Sequence, residues 1–385
     1  MYSSTSFLGQ CKFYSREELP EWQAFKYEWQ RLPLGQSPTG RGGWNQTFVN
    51  PIKSYTDFYL FHALQLLKKY NVQGVYLDGY AGMSATSNLE AGFGYVDEAG
   101  NVHPTYPVMA GREMMKRLYT MIHQQKPKNG FLMVHCSTSL IMPILAFSDG
   151  TYTGENFCWA DLKEKIKKAK GYYSAALTPD WLRGVYNMRP FGPIPSFDSR
   201  LSINQLCDPA TAEAGHSRAR NLFGLLLTHD IHSWSGWTEG YEPLIMQTMD
   251  WWGTSDPEVK FLPYWDKPNW LKVTGSPDAK VNFNDKKQDK KIYASAYINY
   301  SEKKMLIAAV NFSGYTLGDS MFKKKGREGY YIYLNLKKLG LEGKNLKVYD
   351  AESHNHLSLP YENGCISLPF FDRRQQLKLI NVTWN

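Results

Sequence analysis

From about Tyr55 the chain alternates between two hydrophobic periods. Phe58, Phe61, Leu64, Leu66 and Leu67 recur at helical spacing and predict a helix that ends near Asn71. The next apolar run, Gly74-Val75-Tyr76-Leu77-Asp78, predicts a strand over 73–78 that ends on a carboxylate, with Gly79 directly after it. A long Gly-rich loop runs to Pro107. A helix is then expected over 109–125, strands over 130–136 and 147–155, and a helix over 161–175. A strand over 183–188, a helix over 210–227, a strand end over 228–234 and a helix over 241–251 follow. Crossovers of this length suit parallel pairing. Residues 1–50 carry Pro33, Pro38 and Gly40-Arg41-Gly42-Gly43, and at most one or two strands fit there, near 7–13 and 47–49.

After about Thr254 the period changes to two. Strands are expected over 291–300, 304–312, 330–336, 346–349, 365–369 and 377–382, with turn chemistry such as Glu362-Asn363-Gly364 between them. The expected fold is therefore α/β: a (β/α)8-type, TIM-like barrel over 1–255, followed by an antiparallel β-sandwich over 256–385. Five barrel strands are clear where a closed barrel needs eight. The count favours a chain that lacks an N-terminal portion.

Length and composition narrow the class. With 385 residues, two domains are the natural division, and the core needs no disulfides. The five cysteines are scattered without a CxxC pair, so neither a zinc ribbon nor a disulfide framework is indicated. The formal charge is +8, but the lysines fall in local runs such as 163–168, 286–291 and 323–325. They lack the interleaved aromatics of a nucleic-acid surface, so no nucleic-acid partner is expected. No apolar stretch is long enough to span a membrane, and the first residues show no secretory leader pattern. Aromatic content is high, at 15% with 12 Trp, 26 Tyr and 19 Phe. Aromatic faces fill cores, and they also stack on sugar rings.

The candidate chemistry lies at strand ends, where α/β barrels carry their sites. Asp78, His135, Glu155, Asn187, His229, Asp230 and His232 all fall at or near predicted strand ends. Glycoside hydrolysis needs two carboxyl groups across the scissile bond. Asp78 is assigned as nucleophile or base. Glu155, followed by Phe157 and Trp159, is assigned as general acid, because aromatic walls favour its protonated form. The structural alternatives are a loop cap for Asp78 and a salt-bridged or hydrogen-bonded barrel-rim residue for Glu155. Tyr76, Arg112, His135, Trp159, Asn187, Arg189, His229, Asp230, His232 and Trp234 are candidate contacts to a carbohydrate substrate. No cofactor and no metal is expected. The competing reading is a metal-dependent hydrolase in which Thr228-His229-Asp230-Ile231-His232 binds the ion, with Asp78 and His135 completing its shell. A third is a non-catalytic glycan-binding protein.

Val75-Tyr76-Leu77-Asp78-Gly79 resembles the strand-end aspartate of melibiase-like barrel glycosidases. A longer pattern runs through Pro107-Val108-Met109-Ala110-Gly111-Arg112, Val134-His135-Cys136-Ser137, Phe147-Ser148-Asp149-Gly150 and Tyr152-Thr153-Gly154-Glu155. It is similar to large bacterial glycoside-hydrolase-like proteins distantly related to glycoside hydrolase family 123, over residues 20–255. The resemblance implies a barrel followed by a β-sandwich, a preceding β-domain, a carbohydrate substrate and a secreted or periplasmic location. One departure is chemical. Family 123 uses an adjacent Asp-Glu pair, but Gly79 follows Asp78, and the only Asp-Glu is Asp97-Glu98 in a Gly-flanked loop. N-acetylhexosamine specificity and the substrate-assisted route therefore do not carry over.

Overall fold

A computed structural model describes residues 14–16, 20–32, 46–78, 85–136, 140–154, 160–168, 173, 176–186, 192–198, 212–233, 242–266, 269–275, 281–284, 292–311, 329–368 and 377–385. The chain divides into two compact units. The first comprises Met1–Thr153 and Met188–Ser196, and the second Gly154–Asn187 and Phe197–Asn385.

In the first unit, β1 (Tyr14–Arg16) pairs with β2 (Gln46–Phe48), and α1 (Pro20–Trp29) lies between them in sequence. Helix α2 (Lys53–Lys69), β3 (Gly74–Asp78), the hairpin β4 (Tyr95–Val96) and β5 (Val102–His103), α3 (Val108–Gln125), β6 (Phe131–His135), the short α4 (Met142–Leu145), β7 (Gly150–Thr153) and β8 (Ile194–Phe197) follow. The central sheet of this unit runs β3-β6-β7-β8. β3–β6 and β6–β7 are parallel, with Asp78 opposite His135 and His135 opposite Tyr152.

The pleat separates the two faces of this sheet. Val75, Leu77, Leu132, Val134 and Cys136 alternate onto one face and join a core with Leu60, Ala63 and Leu67 of α2. Helix α3 adds Met114, Met115, Leu118 and Ile122 to the same core, at the spacing of one helical stripe. Two glycines keep the sheet close. A Cβ on Gly74 would collide with the Phe131 carbonyl, and one on Gly150 would stand 3.0 Å from Met133 Sδ. Asp149 fastens the amino end. Its carboxylate accepts the Leu132 N–H at 2.7 Å and stands 3.1 Å from His123 Nε2 of α3.

The second unit holds α5 (Ala160–Lys168), α6 (Pro179–Tyr186), α7 (Ala212–Leu227), β9 (His232–Ser233) and α8 (Pro243–Trp252). Next come β10 (Lys260–Leu262), β11 (Leu271–Thr274), β12 (Ile292–Asn299), β13 (Lys304–Asn311) and β14 (Tyr330–Leu334). The chain ends with α9 (Leu336–Leu339), β15 (Leu346–Asp350), β16 (Tyr361–Glu362), β17 (Cys365–Leu368) and β18 (Leu377–Trp384). Two antiparallel sheets form, β10-β12-β13-β18-β15 and β11-β14-β17-β16. Apolar side chains of both share one core, including Ile298, Ile307, Ile332 and Ile366. The opposite face of the first sheet is also covered. Leu306, Ala308 and Leu379 pack with Phe223 and Leu227 of α7 and Trp252 of α8. That double coverage explains the almost unbroken apolar run of β13. In α7, a Cβ on Gly224 would collide with the Val310 side chain, so glycine lets the helix lie against β13.

Several expectations are revised. Residues 183–186 are not a strand, and 187 and 188 of that expected strand lie outside the described residues. Arg183 to Tyr186 are the end of α6, whose buried Leu182 and Tyr186 stand one turn apart. β8, with Pro195 inside it, was not expected. The loop before α3 contains the β4–β5 hairpin. There Asp97 accepts the Ala99 and Asn101 N–H groups at 2.9 and 2.8 Å and stands 2.7 Å from His103 Nε2. The His103 hydrogen bond is the main reason its carboxyl is held down at about 2. The Asp97-Glu98 dipeptide is thus a turn. A closed barrel is not shown; the described strands give one parallel-paired sheet and the antiparallel sheets. Among the described residues no helix is long and apolar enough to cross a membrane.

A buried ion cluster joins the helices of the second unit to its sheet. Arg220 of α7 donates from Nη1 to Glu242 at 2.9 Å, and through both terminal nitrogens to Glu352 at 2.7 and 2.8 Å. Nη2 also donates to the Leu377 carbonyl of β18 at 2.7 Å. Removing the cation leaves two carboxylates in a site where Arg220, Glu242 and Glu352 side chains are only 9–12% exposed. Arg220→Leu is expected to lower unfolding free energy by about 3–5 kcal/mol. Urea denaturation at neutral pH measures this, and a loss below about 1 kcal/mol would mean the cluster is not structurally important.

Candidate active site

Parallel pairing brings three of the predicted residues together. Tyr76 and Asp78 are two apart on β3 and so share the face opposite the apolar core. The register sets His135 of β6 directly beside Asp78. His135 Nδ1 lies 3.0 Å from Asp78 Oδ1 and 2.9 Å from the Tyr76 hydroxyl. Tyr152 of β7 closes the other flank, its ring 5.2 Å from the imidazole at 62° and 6.1 Å from the Tyr76 ring. The imidazole is 3% exposed, whereas the Asp78 side chain is 39% exposed. A ligand arriving from solvent therefore meets the carboxylate and not the ring. Tyr152 was not among the predicted site residues. Its place two residues before Gly154 in a strand-like run was the available signal.

The neighbouring Cys136 points the other way, into the apolar core. Burial pushes its thiol up to about 12. It is not poised as a nucleophile. Arg112 sits at the start of α3, its guanidinium 4.8 Å from the Phe147 ring centre and 3.3 Å from Glu113. These contacts are with its own helix and the segment after α4.

Glu155, Trp159, Asn187, Arg189 and Trp234 lie outside the described residues. Gly154, just before Glu155, is described. Its φ is +139°, and a Cβ there would stand 2.5 Å from the Asp198 carbonyl oxygen, so glycine is required. Asp198 itself is a buried carboxylate directly after β8. Sequence reading missed it because it missed β8. The signal was Ile194-Pro195-Ser196-Phe197-Asp198, a short run ending on an acid as 74–78 does.

The histidine segment has a structural account within the second unit. Asp230 takes a left-handed φ of 57°, and the Ile231 N–H bonds the Leu226 carbonyl at 3.0 Å, which ends α7. Ile231 and Leu226 share a core cluster across that turn. The last carbonyls are satisfied by β12: Tyr297 donates to Leu227 at 3.0 Å and Ser295 to Thr228 at 2.8 Å. His229 is buried, with Nδ1 2.7 Å from the Leu225 carbonyl and Nε2 3.1 Å from the Tyr264 hydroxyl. Trp265 stacks on the ring at 5.6 Å. Both ring nitrogens are thus engaged. His232 is in β9 and partly exposed. Among the described residues, no group of three or more His, Cys, Asp or Glu is placed to hold a metal ion.

In fold, the chain is similar to a cycloisomaltooligosaccharide glucanotransferase of Paenibacillus sp., with a TM-score of 0.52 and 9% identity over 96% of this chain and 72% of that one. It is also similar to an α-amylase from Lactobacillus plantarum, with a TM-score of 0.51 and 9% identity over 97% and 77%. An α-galactosidase from Lactobacillus brevis gives a TM-score of 0.48 at 12% identity over 97% of this chain; the chain spans 44% of its length, and a likeness that slight carries no argument. At these identities the likeness is one of fold alone. No protein-family model matches the chain, and no curated protein sequence matches it. Kinship with glycoside hydrolase family 123 in particular is unsupported.

Burial depresses the His229 pKa from its ordinary 6.5 to about 4. The folded chain then binds fewer protons than the unfolded chain between those values. Stability from this group is full above 6.5 and is lost as pH falls towards 4. The loss is about 3 kcal/mol. Denaturation curves at stepped pH are expected to show it in the native chain and not in His229→Gln. A His229 ring signal that titrates near 6.5 by NMR would contradict the burial argument.

Proposed function

We propose that this chain acts on a glycosidic bond, with Asp78 as nucleophile or base. Glu155 is the proposed general acid. The observation that carries the reading is the exposed Asp78 carboxylate at the carboxyl end of β3, held by the buried His135 across the parallel register. Parallel α/β sheets bind and transform ligands at that end of their strands. The fold likeness to a glucanotransferase and an α-amylase supports the same class. On this reading residues 1–255 are the barrel-type catalytic part and 256–385 the β-sandwich, with the two antiparallel sheets as its layers. Tyr76, Arg112, Trp159, Asn187, Arg189, His229, Asp230, His232 and Trp234 are the proposed carbohydrate contacts. Of these, His229 has the weakest support, since both of its ring nitrogens already bond within the protein. The metal-dependent alternative loses ground for the same reason, because binding an ion would require His229 to give up a hydrogen bond at one nitrogen.

The test is a panel of aryl glycosides and soluble α- and β-glucans, read by phenolate release, reducing ends and transfer products. Asp78→Asn is expected to lower kcat/KM by at least about 1,000-fold while leaving the thermal midpoint within about 3 °C. Glu155→Gln is expected to fall as far on unactivated substrates, and much less on aryl glycosides whose leaving groups need no proton. Full activity in Asp78→Asn would remove that residue from the chemistry. Glucan binding without turnover would favour the glycan-binding reading.

A further inference from the structure

Geometry around His135 goes beyond a substrate contact. Its Nδ1 faces two oxygens at once, Asp78 Oδ1 at 3.0 Å and the Tyr76 hydroxyl at 2.9 Å. One ring nitrogen has one valence directed into the plane of the ring, holding either a proton or a lone pair. If Nδ1 holds the lone pair, it accepts from the Tyr76 O–H, and Asp78 Oδ1 must itself be protonated to avoid facing that lone pair. If Nδ1 holds the proton, it donates to the carboxylate, and the Tyr76 oxygen lies beside the same N–H as a second acceptor. The second arrangement leaves Asp78 ionised and contains the stronger, charge-assisted hydrogen bond. The two tyrosine rings, Tyr76 at 6.3 Å and Tyr152 at 5.2 Å, limit rotation of the imidazole, and its burial keeps water from replacing it.

We propose that His135 is the positioning residue of this site: its Nδ1–H orients Asp78 and holds it as an anion, and Tyr76 and Tyr152 hold the ring. This rests on the reading of Asp78 as nucleophile or base. It assigns His135 no contact with the sugar, and it makes Asp78 the wrong carboxyl group to serve as proton donor. Among the described residues, the titratable groups facing Nδ1 are Asp78 and Tyr76 from β3, with the Tyr152 ring on the β7 side.

Two measurements test it. The first needs no activity: ¹⁵N NMR of the full chain labelled at histidine. Native protein at neutral pH is expected to show His135 with a protonated Nδ1, and Asp78→Ala is expected to lose that preference. A bare Nδ1 in the native chain overturns the proposal. The second is kinetic, on whichever glycoside the panel finds. His135→Leu is expected to lower kcat about 100-fold with KM within about twofold. Loss of a donor to the charged form moves the acidic limb of the kcat/KM profile up by about one pH unit. His135→Asn, whose amide N–H reaches towards the position of Nδ1–H, is expected to restore the limb and most of kcat. A raised KM at unchanged kcat in His135→Leu, or an unmoved acidic limb, overturns the proposal. Should the native chain turn over no glycoside but keep the Nδ1–H signature, lost in Asp78→Ala, the His135–Asp78 pairing stands and the glycosidase reading falls.

Discussion

The candidate site depends on a register. β3, β6 and β7 pair in parallel so that Asp78, His135 and Tyr152 stand on one level. A one-residue slip of β3 would turn Asp78 into the apolar core and bring Leu77 out, and a slip of β6 would do the same to His135 and Val134. The core forbids that slip, because Val75, Leu77, Leu132 and Val134 are buried against α2 and α3. Closeness of the strands is fixed by Gly74 and Gly150, where any side chain would meet the neighbouring strand. The apolar face thus positions the polar face. This is how a site is made accurate on regular elements without spending its own side chains on the fold.

A second constraint acts inside the other unit, and it is electrostatic. Arg220 stands where α7, the start of α8, the turn after β15 and the start of β18 meet, and it bonds to a group from each of the other three. Such a cluster contributes little over an apolar replacement of the whole set, but it discriminates strongly against any packing that leaves a member unpaired. Gly224 and the hydroxyls of Ser295 and Tyr297 fix the same helix farther along. The helix therefore ends at one place, and the His229-Asp230-Ile231 turn is a consequence of that ending.

That turn shows what can be read from a sequence and what cannot. Strands with an uninterrupted period were legible: the apolar runs of β3 and β6, and β12, β13, β14, β15, β17 and β18 within a residue or two. Glu362-Asn363-Gly364 was legible because φ values of 48° and 80° at Asn363 and Gly364 demand those residues. The stretch from Arg183 to Tyr186 was misread because Gly-Val-Tyr favours strands locally, while the signal for a helix was Pro179-Asp180 at its start and Leu182 and Tyr186 one turn apart. β8 was hidden by Pro195 within it and Pro193 just before it, and with it Asp198. The histidine segment looked like chemistry because its residue types are those of ligands. What sets its conformation is the end of a helix, and that is decided by Leu226 and Ile231 packing in three dimensions. At the site itself, Asp78 was visible as a strand-end acid, but the Asp78–His135 contact crosses 57 residues of chain and follows only from strand pairing.

The same pairing separates two roles that sequence treats alike. Tyr76, Asp78 and His135 are all polar residues near strand ends, yet their exposure differs more than tenfold between ring and carboxylate. Burying an imidazole beside a carboxylate costs desolvation energy, and a fold selected only for stability would place an apolar side chain there. What the burial secures is orientation. An exposed aspartate on a strand end samples several rotamers, whereas one tied to a rigid neighbour holds an oxygen in one place. Chemistry at an anomeric centre needs that placement, because a carboxylate that must be reoriented loses much of the rate advantage of being bound. A sugar-binding surface without catalysis has no such need for an ionised, fixed carboxylate. On the proposed reading, in which His135 holds Asp78 as an anion, the distribution of burial among these three side chains suits chemistry better than binding alone, independently of any likeness in fold.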